Sequence, residues 1–185
     1  MGHRPFLVLA DYLTRRGIAV LRADDRGVGR SGGTFADATT ADFATDAEAG
    51  VAFLMTRTEV DRRKIGLIGH SEGGAIAPMV AARNRDVAFI VMMAGPGVPG
   101  DQILAAQNAF ALKIAGKNAE ETERALATNR DVFNLVKNER DRATLGRKLR
   151  ERLAGLVPEM QMDIQVKSLM SPWFRQFIES AQSTR

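Results

Sequence analysis

The sequence predicts an α/β fold in which helices cover both faces of a parallel sheet. Three observations lead there. Through the first half of the chain, short apolar runs alternate with amphipathic helical stretches. A G-x-S-x-G pentapeptide, Gly69-His70-Ser71-Glu72-Gly73, stands between one such run and a helix of small residues. From about Asp101 onward the apolar spacing is helical, without strands.

The first helix opens near Pro5, which suits a first-turn position, and places Phe6, Leu9, Ala10 and Leu13 on one face. Arg15 and Arg16 suit the negative end of its dipole, and Gly17 supplies a stop. Ile18-Ala19-Val20-Leu21 is short, apolar and rich in branched residues, which predicts a strand over 18–23. The stretch from Asp24 to Gly33 is too glycine-rich for regular structure and reads as a loop. A second helix is expected from Ala41 to Thr56, with Phe43, Ala47, Val51 and Leu54 inward and Thr39 or Thr40 as N-cap. Lys64-Ile65-Gly66-Leu67-Ile68 predicts a buried parallel strand over 64–69, and Gly74 to Ala82 predicts a helix closely packed on a sheet. Val87 to Met93 predicts a third strand over 87–94, closed by Gly95-Pro96-Gly97. Strands joined through helices in this way run parallel.

Beyond Asp101, helical spacing covers 103–115, 119–137 and 140–156. Pro158 then begins a segment bearing Met160, Met162 and Met170, and Ser171-Pro172 precedes a short helix with Trp173, Phe174 and Phe177. Methionines and aromatics so spaced pack a helical subdomain, the alternative being an apolar surface for acyl chains. The expected division is a core segment at 1–98, a helical segment at 99–179 and a frayed polar tail at 180–185.

Composition narrows the function classes. A chain of 185 residues can bury a sizeable core as one domain. It has no cysteine, which excludes disulfides, thiolate catalysis and cysteine-ligated metals. No motif asks for a metal or cofactor, so none is expected. The net charge is +4, with much of the excess between Lys137 and Arg152. Glu139, Asp141 and Glu151 are interspersed there, and Leu145, Leu149 and Leu153 recur every four residues. That pattern is the solvated face of an amphipathic helix, and nucleic acid is not an expected partner. No apolar run approaches the ~20 residues of a membrane span, and Met1 to Pro5 lacks the features of a secretory leader. The compartment stays open.

The pentapeptide carries the chemistry. A nucleophile elbow forces its serine into a strained conformation that lifts the hydroxyl clear of the sheet. The turn is expected to crowd the positions two before and two after, so that glycine fits both, here Gly69 and Gly73. Such a serine needs a base, normally a histidine oriented by a carboxylate. The chain has two histidines. His70 immediately precedes Ser71 and its side chain should diverge from it, and His3 reads as an exposed or helix-start residue. The elbow is present without an evident base.

A second motif stands about forty residues earlier: D-x-R-G-x-G-x-S, formed by Asp24, Arg26, Gly27, Gly29 and Ser31. With both motifs, residues 4 to 97 resemble an α/β-hydrolase of the serine esterase and S33 serine aminopeptidase-like branch. The resemblance implies a carboxylic ester hydrolase that works through an acyl-enzyme on Ser71, with the backbone N–H of Glu72 as one oxyanion donor. It implies a small-molecule ester or amide as substrate, and makes the helices after Gly100 similar to a cap. Asp24 and Arg26 then brace the glycine loop, and the Glu72 side chain is favoured by the helix dipole. On the family's plan the chain starts after the third strand. The second oxyanion donor would precede Met1, and the triad carboxylate and histidine would follow Arg185. The expectation is an internal segment with an incomplete sheet, its first two strands separated by a gap or forced into a non-family pairing. A serine aminopeptidase or amidase is the rival within enzymes, and a non-catalytic remnant or binding module the rival outside them. The oligomeric state is left open.

Overall fold

Helix α1 (Pro5–Thr14) begins on the expected proline and ends in two backbone bonds around Gly17. Gly17 N–H donates to the Thr14 carbonyl (3.0 Å), and Ile18 N–H reaches back to Leu13 (3.2 Å). This closure needs a left-handed residue, and Gly17 has φ +79°. The computed structural model describes residues 4–179, so His3 and the tail at 180–185 lie outside the described residues.

The strand expected over 18–23 does not form. Those residues have no regular structure, and Ile18, Val20 and Leu21 are exposed, Ile18 at 51%. An extended segment becomes a strand only when a neighbour takes its N–H and C=O groups, and here the apolar composition meets no such neighbour. The sheet of the described residues therefore has two strands, β1 (Gly66–His70) and β2 (Phe89–Met93). They run parallel, in register from Gly66 opposite Phe89 to His70 opposite Met93. This mixed α/β arrangement is compatible with an incomplete sheet of the expected type.

β1 starts two residues later than the sequence suggests. Arg62–Lys64 form a 3-10 turn whose N-terminus is capped by Asp61, a carboxylate accepting from Arg63 N–H at 3.0 Å. Helix α3 (Gly73–Ala81) packs against both strands through buried Gly74, Ala75, Ala77 and Val80. Small residues on that face let the helix axis approach the sheet closely. Helix α2 (Thr40–Met55) buries Ala44 and Val51, and its Glu48 pairs with Arg83, just beyond α3, at 2.6 Å.

The chain divides into two compact units, one of Met1–Phe35 and Ala41–Met93, the other of Ala36–Thr40 and Ala94–Arg185. The second is helical: α4 (Gly100–Ile114), α5 (Ala119–Asn138), α6 (Arg142–Leu153), α7 (Glu159–Leu169) and α8 (Pro172–Glu179). Local signals start these helices where they start. Asn118 and Glu121 form a reciprocal capping box on α5 (2.9 and 3.0 Å), and Asp141 accepts from Thr144 N–H (2.8 Å) to cap α6. Leu145, Leu149 and Leu153, spaced by four, are all buried against residues of α5, α7 and α8. Trp173 and Phe177 stack at 5.2 Å. Of the methionines, Met162 is in the core, whereas Met160 is 91% exposed and packs nothing. The reason is register: α7 turns positions 162, 166 and 169 inward and 160 and 164 outward. Among the described residues no helix is long and apolar enough to cross a membrane.

Glu139, at the end of α5, ties three elements together. Its carboxylate accepts from Lys148 Nζ (2.8 Å) and from Asp141 N–H (3.1 Å), and its carbonyl accepts from Arg175 (2.9 Å). The Lys148 ammonium, helped by the Asp141 amide, holds this carboxyl below the usual glutamate range. Because the folded value is lowered, the contribution to stability is complete above the unfolded-chain value of about 4.3 and is lost as pH falls through the folded value. Glu139→Gln should therefore flatten the acid limb of the urea-midpoint profile below about pH 4. An unchanged acid limb would contradict that assignment. Leu149, fully buried, tests the core itself: Leu149→Ala should cost about 2–5 kcal/mol in chemical denaturation, and a loss under ~0.5 kcal/mol would refute its place in the core.

Candidate active site

β1 ends at His70 and α3 begins at Gly73, so the chain turns from strand to helix within two residues. Ser71 makes that turn with φ +54°. For a residue with a side chain this left-handed conformation costs roughly 1–2 kcal/mol and has to be held by its surroundings. Two sets of bonds hold it. Ser71 N–H donates to the Met93 carbonyl of β2 at 2.9 Å, continuing the ladder one step past the last register pair. The Ser71 carbonyl accepts from Gly74 N–H (2.8 Å), and the Glu72 carbonyl accepts from Ala75 (2.8 Å) and Ile76 (3.0 Å), which starts α3. The Ser71 side chain is exposed, as a serine presented at the rim of a sheet should be.

The crowding expected at both flanking glycines occurs at one. A Cβ on Gly69 would overlap the carbonyl group of Gly73 and come within 2.8 Å of the Gly74 nitrogen. A Cβ on Gly73 would meet nothing within 4 Å. The asymmetry has a plain cause: it is the backbone of Gly73 that folds onto Gly69, so the missing side chain matters on the strand side of the turn.

Glu72 occupies the N-cap position of α3 with helical torsions (φ −54°, ψ −36°), and its carboxylate does not cap the helix. Its N–H belongs to the positive end of the helix dipole. Ser71 N–H, by contrast, is committed to Met93. His70 is exposed, and its ring packs edge-on against Phe6 of α1, centroids 5.8 Å apart at 61°. His70 is the one histidine among the described residues, since His3 is outside them. Among the described residues no three histidine, aspartate or glutamate side chains gather as a metal site.

The glycine loop is bound to α2 and to itself. Arg26 makes a two-pronged contact with Asp46, Nε to Oδ2 at 2.7 Å and Nη2 to Oδ1 at 2.8 Å, and also donates to the Asp42 carbonyl at 2.9 Å. The Asp46 carboxylate raises the guanidinium further above its already high pKa, so Arg26 stays charged at any working pH. Ser31 Oγ donates to the Asp24 carbonyl (2.7 Å), and Gly27 N–H to Gly32 (2.9 Å). Sequence reading finds the motif and assigns Asp24 and Arg26 to bracing; Asp42 and Asp46, four apart on α2, are the partners it did not name. It also missed Met93, whose contribution is a backbone carbonyl and so leaves no trace in residue type.

The two glycines give a paired test. Gly69→Ala should destabilise by at least about 1–3 kcal/mol, because the overlap is with backbone. Gly73→Ala should be neutral or stabilising by up to ~1 kcal/mol through helix propensity. Equal effects in thermal or urea melts would contradict the turn as described.

The sequence model of the family described as serine aminopeptidase, S33, matches residues 4–165. The match spans the D-x-R-G-x-G-x-S loop and the Ser71 turn, and continues through α6 into α7. The strand–turn–helix around Ser71 is the local context that the pentapeptide needs in that superfamily. The chain belongs to the S33 serine aminopeptidase family of the α/β-hydrolase superfamily, a family of hydrolases.

Proposed function

We propose that Ser71 is the nucleophile of a carboxylic ester hydrolase. The observation that supports the reading is the exposed, left-handed Ser71 at the junction of β1 and α3, in the middle of G-x-S-x-G. In the proposed reaction Ser71 Oγ attacks the ester carbonyl carbon and gives up its proton to a base. The tetrahedral oxyanion accepts a hydrogen bond from Glu72 N–H, the alcohol leaves with that proton, and water then releases the acid from the acyl-enzyme. Ser71 N–H has no part in the oxyanion site on this reading, because Met93 takes it.

The base and its orienting acid are proposed to come from outside residues 1–185, as is the second oxyanion donor. With His70 packed against Phe6, the described residues offer Ser71 no evident histidine base. We read residues 99–179 as a cap segment. Amide or aminopeptidase chemistry uses the same groups, so the substrate panel includes aryl amides beside aryl esters.

In the full-length protein, Ser71→Ala should lower turnover of short acyl aryl esters on the order of 10⁴-fold with little change in folding. Turnover that survives the substitution would refute the assignment. Residues 1–185 alone should hydrolyse the same esters at the buffer rate. Loss of one oxyanion donor is worth roughly 3–4 kcal/mol before the missing base is counted. Turnover by the short chain that Ser71→Ala abolishes would mean that the chain contains its own base, and that partners from outside are not needed.

A further inference from the structure

Residues 36–40 are set apart from their neighbours in the chain. Phe35 and Ala41 belong to the unit that holds the sheet, whereas Ala36–Thr40 belong with the helical unit. Connecting segments run over the surface as a rule. Here Ala38, outside regular structure and next to exposed Asp37, has only 3% of its surface exposed. A hydrogen bond fixes the end of the segment: Thr40 N–H donates to Gln176 Oε1 of α8 at 3.0 Å, across 136 positions of sequence. We propose that residues 36–40 form a clasp by which the helical unit grips the chain at the start of α2, with Gln176 as its latch. The first amide of α2 then opens with α8 and not with the sheet.

The chemistry of the bond favours this role. Thr40 opens α2, and the first amides of a helix have no acceptor within the helix itself. A cap commonly comes from the residue just before the helix. Gln176 supplies an acceptor from a distant element, and its carbonyl dipole meets the positive end of α2. On α8, Phe174 and Ile178 are buried in the helical core. Gln176 stands two residues from each, which on a helix is the opposite face. One side of α8 is thus anchored in its own core while the other holds Thr40. Two residues past Thr40, the Asp42 carbonyl accepts from Arg26 Nη2 at 2.9 Å. The turn that Gln176 caps is therefore also a turn that braces the glycine loop.

Substitutions separate the latch from the unit that carries it. Gln176→Leu keeps the bulk and removes the acceptor, whereas Gln176→Glu keeps an acceptor and adds a negative charge at the positive end of α2. The test reads hydrogen exchange at single amides by NMR on the 185-residue chain. Gln176→Leu should speed exchange at Thr40 by about threefold or more, and Gln176→Glu should hold it within about twofold of the parent. The amides of Val136 in the helical core and Val80 in α3 serve as references and should not change in either variant. Leu149→Ala then loosens the helical core from α6. In that variant Thr40 exchange should rise together with Val136, while Val80 stays as it was.

Equal exchange at Thr40 in the Leu and Glu variants would overturn the latch. A Thr40 amide that keeps pace with Val80, staying slow when Leu149→Ala speeds Val136, would overturn the clasp. Neither result depends on whether Ser71 is a nucleophile, so the two readings stand or fall separately.

Discussion

A chain that leaves β1 and enters α3 within two residues has to fold the backbone of Gly73 onto that of Gly69. That close approach is the constraint on which the site depends. It admits no side chain on Gly69, it places Ser71 in the left-handed region, and it starts α3 directly over the sheet, where buried small residues let the helix settle. The Met93 carbonyl then takes the Ser71 amide as the chain leaves the ladder. The exposed hydroxyl, the N-cap placement of Glu72 and the commitment of Ser71 N–H are consequences of the same fold of backbone on backbone.

The two units rest on different physics. In the helical unit, α5, α6, α7 and α8 each contribute to a common apolar core, and side-chain caps and Glu139 fix where the helices start and stop. In the other unit the sheet has two strands, and Ile68, Phe89, Val91 and Met92 are all exposed, as is the run at 18–21. Two paired strands bury little on their own, and stability of such a sheet comes from what covers it. α3 covers it through Ala75, Ala77 and Val80, so the turn at Ser71 leads into a helix seated on the sheet.

Local signals in the sequence were enough for most of the elements and for the turn. Pro5 and Gly17 bound α1, the leucines at 145, 149 and 153 mark the inner face of α6, and G-x-S-x-G between an apolar run and small residues marks the elbow. What failed was non-local. Ile18 to Leu21 have strand composition, but a strand is a relation between two segments, and composition says nothing of whether the second is there. Gly73 was expected to be crowded because the motif repeats glycine symmetrically, whereas the turn is asymmetric. Met160 shares its residue type with Met162 and faces the other way, since register and not composition decides burial on a short helix. The partners of Arg26 and Ser71 are set by tertiary placement, and in the case of Met93 by a group that every residue carries.

If the turn presents Ser71 for attack, an electrophile that needs an activated serine should find this one and leave the others. The direct measurement is to treat the catalytically active protein with a fluorophosphonate and map the adduct by peptide mass spectrometry. The account predicts one phosphonylated residue, Ser71, among the serines of residues 1–185. An adduct on Ser31 or Ser168 with Ser71 unmodified would contradict it.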